Sequence, residues 1–470
     1  MKRTKVVCTI GPSTNSYEKI KELVVSGMNV ARLNMSHGSI AEHQKTLDIV
    51  KRVRKELGVP CAIMVDTCGP EMRIGTFENG KVLLEKGKTF VLSTKKIAGN
   101  EKGVYFGFPK LLSKLRPKQK IYANNGLIEL TISKIEKENI VCKVSIGGVI
   151  SNHKSVSIPH TKLSLPFISE QDKNNISFAV KNDVEYISAS FVSCKKDVEK
   201  IKDLVSSMGG RQRIISKIEN QEGLDNLQEI TLCSDGIMVA RGDLGTEIPL
   251  EKIPVVQKNM IKTAILNGKF VVVATEMLES MTSKPRPTRA ETTDVAQAIY
   301  DKTCATMLSG ETASGEYPIL SCSVMSNIAT TAENSIDYNA ELLSFPSCES
   351  QNVDIISYSA CIASKNAQAK AIVCFTDNGH TAESLSKFRP TARIIALTHD
   401  DFTFNSLSLV WGITPIKVPK QKTFEKMIKT AKDIVKKLKI AKNGDKIILT
   451  LGLPLNGKEP TNTINICDVD

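Results

Sequence analysis

Eight times along this chain a short run of β-branched and apolar residues is followed by a stretch of helical periodicity, and that repetition constrains the fold more than any other feature. The strands read Val6–Ile10, Asn29–Leu33, Cys61–Asp66, Tyr186–Phe191, Ile214–Ile218, Gly236–Ala240, Phe270–Thr275 and Cys304–Ser309. Runs such as Tyr17–Ser26, Ala41–Leu57 and Asp197–Met208 carry the helical spacing between them. Near-continuous apolar strands belong in a parallel sheet covered on both faces. Eight such units close into an α/β (β/α)8 TIM barrel, whose chemistry sits at the C-terminal ends of the strands. Polar residues do gather where these strands stop: Arg32 to His37, Asp66-Thr67, Lys217 to Asn220, Arg241-Gly242-Asp243, Thr275-Glu276 and Ser309-Gly310-Glu311. Six clusters in one phase are hard to explain as ordinary loop starts.

The repeat is interrupted between roughly Pro70 and Pro166 by a segment rich in Val, Ile, Lys and Gly with short alternating runs such as Ile140–Val144. This predicts a small β-barrel domain inserted after the third strand and tethered beside the barrel mouth, where it can act as a lid. From about Asp337 the pattern changes again, with strands predicted at Ala371–Phe375, Ile394–Leu397, Ile413–Val418 and Lys446–Leu451. The expected division is barrel 1–69, lid 70–167, barrel 168–338 and a C-terminal α/β regulatory domain 339–470, as suits a 470-residue chain that exceeds one core.

Composition narrows the function classes. The formal net charge is +13, yet the lysines are spread along the chain with no clustered, aromatic-interleaved face of the kind nucleic acid requires. The densest basic run, Lys417 to Lys442, reads as an amphipathic helix with a solvated outer face. Twelve cysteines without a C-x-x-C pair, several inside apolar runs, are used as reduced thiols. No stretch approaches the roughly 18 apolar residues of a membrane helix. The expectation is a cytoplasmic protein that binds neither nucleic acid nor membrane.

The strongest chemical feature is Ile215-Ser216-Lys217-Ile218-Glu219-Asn220 followed by Met238 to Gly245. Carboxylates at neighbouring strand ends, Glu219 and Asp243, can share one hard divalent cation through oxygen. Lys217 beside them supplies fixed positive charge for a phosphate, and backbone N–H groups at Gly242-Asp243, near a helix start, suit a carboxylate or phosphate. A plain Lys217–Glu219 salt bridge at the barrel rim remains the alternative.

These segments resemble the pyruvate kinase family, as do Cys8 to Ser13, Ala31 to Gly38, Thr275 to Met281, Pro285 to Glu291 and Met307 to Ala313, in the right order over essentially the whole chain. The resemblance implies phosphoryl transfer from phosphoenolpyruvate to ADP, giving pyruvate and ATP in glycolysis. It implies that Glu219 and Asp243 hold Mg2+ (or Mn2+), and that Lys217 and Arg32 stabilise the phosphoryl group. Gly242, Asp243 and Thr275 would bind the substrate carboxylate, with Thr275 and Ser309 in the relay that protonates the enolate. Arg73, Lys154, His37 and Asn34 would face the nucleotide, and Asn34, Ser36, Asp66 and Thr67 would hold K+, a dependence that Glu71 favours. In the C-terminal domain Thr376, Gly379 and Thr381 match a loop that takes a phosphorylated allosteric effector, although a Thr-capped turn reads equally well. The family is usually homotetrameric. A non-catalytic metabolite sensor, a metal-dependent aldolase or lyase and an RNA-binding protein are the alternatives from other classes.

The chain departs from the family pattern mostly around the lid. Where the family reads Asp-Thr-Lys-Gly-Pro-Glu this chain has Asp66-Thr67-Cys68-Gly69-Pro70-Glu71, and Asp-Asp-Gly becomes Asn124-Asn125-Gly126. Gly-Val-Asn-Leu-Pro-Gly becomes Ser155 to His160, and Thr-Gln-Met-Leu becomes Thr275-Glu276-Met277-Leu278. Loss of a lid lysine and lid carboxylates predicts altered nucleotide handling.

Overall fold

The computed structural model describes residues 2–159, 161, 166–345, 352–455 and 460–470. His160 of the lid motif and residues 456–459 of the segment from Gly452 to Asn462, which loosely resembles a second effector loop, lie outside the described residues.

The eight expected strands form: β1 (Lys5–Thr9), β2 (Val30–Asn34), β3 (Ala62–Asp66), β4 (Tyr186–Ala189), β5 (Arg213–Ile218), β6 (Gly236–Ala240), β7 (Phe270–Ala274) and β8 (Ala305–Leu308). They pair in parallel and in sequence order, with β1 bonded to both β2 and β8, so the barrel is closed. Most are buried along their full length, as strands between a packed barrel interior and a helical sheath must be. The surrounding helices have clear start signals. Ser39, Ser169 and Thr288 each form a capping box with the acidic residue three positions on, and Gly58 ends the helix Ile40–Leu57 in the left-handed conformation.

The insertion leaves after β3 and folds into a seven-stranded sheet with its own aliphatic core around Phe90, Leu92, Ile121, Leu130, Ile140 and Cys142. A two-stranded ribbon, Lys81–Leu84 with Gly148–Ser151, flanks it. The outgoing and returning stalks are tied together by Asp172: its Oδ1 accepts the Cys68 N–H at 2.9 Å, and its Oδ2 accepts the Ser169 N–H and hydroxyl.

The C-terminal domain is a five-stranded sheet, four strands parallel in the order Ile413–Lys417, Arg393–Thr398, Ala371–Phe375, Lys446–Leu451, plus an antiparallel edge strand Thr463–Asp468 that the sequence pattern did not suggest. The basic run does contain the helix Phe424–Lys437, which buries Met427, Ala431 and Val435 and leaves its lysines outward. The segment from Asn405 to Ile413 caps the N-terminal end of the barrel. Ser408 Oγ accepts the Ala62 N–H, the Tyr186 hydroxyl donates to Ser406 O, and Lys5 Nζ donates to Ile413 O at 2.8 Å.

Candidate active site

Parallel register fixes which rim residues are neighbours. Asn34 lies level with Asp66, and Asp66 with Ser188. From there the site builds as a ladder of alternating charges. Arg32 on β2 donates to Asp66 Oδ2 through Nε at 2.9 Å and through Nη2, while its Nη1 reaches Thr9 Oγ1 at 3.0 Å. Asp66 in turn faces Lys217 Nζ at 3.5 Å, and Lys217 faces Glu219 Oε1 at 2.9 Å. Lys217 also donates to Ser190 Oγ at 2.8 Å. All four charged groups are buried, with Glu219 fully inaccessible and Lys217 9% exposed.

Burial of charge at these positions is tolerable only because each is paired. Burial alone would lower the Lys217 ammonium, but Asp66 and then Glu219 outweigh it and hold the amine above its ordinary range. Asp66, between Arg32 and Lys217, is held below the usual carboxylate range against its own burial. Glu219 is the least compensated: burial and the neighbouring Asp243 push it up, against the pull of Lys217. Its Oε2 accepts the Phe191 N–H, but its buried Oε1, although near Lys217, has no aligned hydrogen-bond donor. Asp66 Oδ1 is similarly placed. Glu219 and Asp243 line one cavity of about 680 Å3 between the rim and the lid. Two carboxylates converging on shared space, one of them with an unsatisfied oxygen, fit a hard divalent cation. Among the described residues no cluster of three or more His, Cys, Asp or Glu side chains has metal-binding geometry, so such an ion would need oxygens from substrate or water as well.

Asp243 and Gly242 sit in a short helix, Arg241–Glu247, that starts directly at the end of β6. Gly242 donates its N–H to Thr275 Oγ1 at 2.7 Å, and the Thr275 hydroxyl donates to Ala274 O at 2.6 Å. Thr275 was expected as the last strand residue, but its φ is 69° and that of Glu276 is 53°. A β-branched residue in the left-handed region is strained and is held there by its surroundings. Arg241 braces that turn, donating to Thr275 O and Glu276 O while pairing with Asp294. At the end of β8, Ser309 Oγ is buried and has no hydrogen-bond partner, while its N–H is held by Glu311.

Of the expected K+ ligands, Asn34 Oδ1 accepts the Ser36 N–H, and the Thr67 carbonyl accepts the Ser190 hydroxyl at 2.7 Å. Asp66 Oδ1, buried and facing Lys217 Nζ at 3.5 Å, has no aligned hydrogen-bond donor. The expected nucleotide side is electropositive: His37 is held below its ordinary pKa by burial, then by Arg73 and Arg32. Arg73, from the lid, pairs with Glu71 at 2.5 Å and donates to His153 O, next to Lys154. In the C-terminal domain Thr376 Oγ1 accepts the Gly379 N–H, Gly379 has φ 93°, and Thr381 Oγ1 lies 2.6 Å from Thr461 Oγ1. That loop rests on Arg213, which pairs with Glu383 and begins β5, the strand whose other end carries Lys217.

Sequence reasoning left out Thr9, Ser188, Ser190 and the bracing roles of Arg241 and Glu311. The strand-end rule applied to Ser188-Ala189-Ser190 would have found two of them.

Comparison with known proteins agrees with this geometry. A family model described as "Pyruvate kinase, barrel domain" matches residues 1–322, and one described as "Pyruvate kinase, alpha/beta domain" matches 354–467. The chain is 39% identical over 469 residues to the pyruvate kinase of Clostridium acetobutylicum, covering 99% of both chains. It is 41% identical over 471 residues to that of Clostridium perfringens, again covering 99% of both. With the Staphylococcus saprophyticus pyruvate kinase it shares 42% over 471 residues, covering 99% of this chain and 80% of the relative. A crystal structure of a pyruvate kinase from Cryptosporidium parvum superposes with a TM-score of 0.93 at 36% identity, covering 100% of this chain and 96% of that one. From the closed barrel, the charge ladder at its rim and these matches, the chain belongs to the pyruvate kinase family.

Proposed function

We propose that the rim ladder is where this chain moves a phosphoryl group from phosphoenolpyruvate to ADP. The observation that carries the reading is Lys217, a buried ammonium pinned between Asp66 and Glu219 beside the cavity shared with Asp243. An amine held protonated in this way acts as fixed charge rather than as a base, and suits the equatorial oxygens of a phosphoryl group in flight. Members of the family are generally metal-dependent. Mg2+ (or Mn2+), held by Glu219 and Asp243, would polarise phosphate and enolate oxygens and offset their charge when bound.

For Arg32 and Ser309 the role follows from the bonds left to give. Arg32 has five N–H groups and commits three of them to Asp66 and Thr9, so the remaining ones are available to the substrate phosphate. Thr275 and the backbone of Gly242-Asp243 take the carboxylate end of phosphoenolpyruvate, which has to displace the Gly242 N–H bond to Thr275 Oγ1 and the Thr275 hydroxyl bond to Ala274 O. Ser309, with an uncommitted buried hydroxyl, is the better proton-relay group, because the Thr275 hydroxyl already donates to Ala274 O. Arg73, His37, Lys154 and Asn34 face the nucleotide. Asp66, Asn34, Ser36 and Thr67 offer oxygens to K+, although Asp66 Oδ1 also faces Lys217 Nζ at 3.5 Å. Residues 70–167 act as the lid, and Thr376, Gly379 and Thr381 take a phosphate-bearing effector in a homotetramer. Among the described residues no helix is long and apolar enough to cross a membrane, which suits a cytoplasmic enzyme.

The test is pyruvate formation from phosphoenolpyruvate and ADP, with and without Mg2+ and K+. Lys217→Met is expected to lower kcat by on the order of 10^2 to 10^3-fold. Unchanged turnover in that variant removes the reading. Cleavage of phosphoenolpyruvate without ADP identifies a lyase, and no turnover in the unaltered chain identifies a sensor.

A further inference from the structure

The lid touches the barrel at the helix that carries Asp243, and it does so through a residue at which this chain departs from its family. Ser155 and Ser157 lie on the strand Ser155–Ser157, between Lys120–Ala123 and Met72–Arg73. Alternation turns Val156 into the lid core, where it is 4% exposed, and leaves the two hydroxyls on the other face. Ser155 Oγ bonds Asn125 Oδ1 at 3.1 Å within the lid, whereas Ser157 Oγ crosses to the barrel and donates to Glu247 Oε1 at 2.5 Å. Alongside, a side chain at Gly126 would stand 3.5 Å from Thr246 Cγ2, so the lid turn also lies against that helix.

Arg241–Glu247 is seven residues long, about 10 Å of helix, short enough for a displacement at one end to be felt at the other. Its first residue is anchored to the Thr275 turn and to Asp294, its last residue to Ser157 of the lid. Asp243 lies between these anchors, its carbonyl accepting the Thr246 hydroxyl at 2.8 Å. Moving either end tilts the carboxylate with it.

We propose that Ser157 and Glu247 are a positioning pair through which the seated lid fixes the orientation of Asp243, so that ADP bound under the lid strengthens divalent-metal binding at the rim. The inference rests on the function proposed above; Ser157 and Glu247 themselves line the cavity shared by Glu219 and Asp243, and the pair is assigned a coupling role through the helix. A hydroxyl-to-carboxylate bond is charge-assisted, and its loss corresponds to about a 10-fold change in the coupled equilibrium.

The experiment measures Mn2+ binding to the full-length protein by electron paramagnetic resonance of free Mn2+, with and without ADP, next to steady-state kinetics. The expected result for Ser157→Ala is about 10-fold weaker Mn2+ binding in the presence of ADP and less than about 2-fold in its absence. KM for ADP rises, KM for phosphoenolpyruvate stays unchanged, and Ser157→Thr, which keeps the hydroxyl, restores the coupling. Glu247→Ala gives at least that loss, and adding Ser157→Ala to it makes the loss no larger. Equal Mn2+ affinity in Ser157→Ala and the unaltered chain with ADP present overturns the pair while leaving the proposed function standing. An unaltered chain that forms no pyruvate overturns both.

Discussion

Thr275 carries more information than its residue type suggests. It occupies a φ of 69°, which costs a β-branched side chain on the order of 1–3 kcal/mol, and it is kept there by Arg241 on its carbonyl and Gly242 on its hydroxyl. The consequence can be separated from the loss of the hydroxyl by comparing two variants that both lack it. Thr275→Gly is expected to be more stable than Thr275→Ala by about 1 kcal/mol, because only glycine adopts positive φ without penalty. Both should lose at least about 10^2-fold in kcat. Thermal midpoints and kcat measured on the pair check this. A Gly variant no more stable than the Ala variant would mean that the turn is unstrained. Turn geometry of this kind is invisible in Thr275-Glu276, which reads as the end of a β run. The deviation arises from contacts to residues 34 and 33 positions earlier in the chain, Arg241 and Gly242.

At the scale of elements, the barrel was legible because each strand must be apolar on both faces and each helix amphipathic, and both requirements write themselves into local sequence. The rim was legible for the same reason, since charge can enter such a strand only at its end. The edge strand Thr463–Asp468 escaped because one face is solvated, with Ile466 55% exposed, so its pattern is weak. The lid turn is a case where structure changes the meaning of a substitution. Asn124, Asn125 and Gly126 have φ of 53°, 54° and 82°, a left-handed run that asparagine and glycine favour. Asparagine therefore serves the turn while removing lid charge. Cys68 packs on Met35, Asp172 and Asn175 at the hinge, and Asn125 bonds Ser155 at the tip, so the two positions share no partner. Restoring Asn125→Asp together with Cys68→Lys is expected to lower the KM for ADP. With no shared partner the single effects should add, to within about 0.5 kcal/mol. Steady-state kinetics of the two singles and the double decide it, and an unchanged KM in the double variant would show that the departures leave nucleotide handling alone.

Across the whole molecule, the charged rim that carries Lys217 and the C-terminal domain occupy opposite ends of the same barrel strands. Trp411, the chain's single tryptophan, has the guanidinium groups of Arg3 and Arg389 over its ring at 5.3 and 4.3 Å at the domain junction. Beside it Lys5, the first residue of β1, sends its amine to Ile413 O and is 7% exposed. No sequence rule anticipates this plug, because its bonds join residues some 400 positions apart, as in Lys5 to Ile413. The junction should nevertheless report on pH. Burial, and then the nearby Lys2, bring the Lys5 amine down to about 7, against the pull of Glu333. In the unfolded chain it titrates at its ordinary value of about 10.4. Below pH 7 both states are protonated and the full penalty for burying the charge is present. Between about pH 7 and 10 the unfolded state holds the extra proton, so stability rises with pH by at most about 1.4 kcal/mol per unit from this group. Lys5→Met removes the titration and should flatten the pH dependence of the thermal midpoint across that window. It should also raise the midpoint near pH 7, where the buried charge is costly. Trp411 fluorescence follows the junction directly during the same titration. If the unaltered chain and Lys5→Met show parallel profiles from pH 7 to 10, the amine is charged throughout and the junction is wetter than its burial implies.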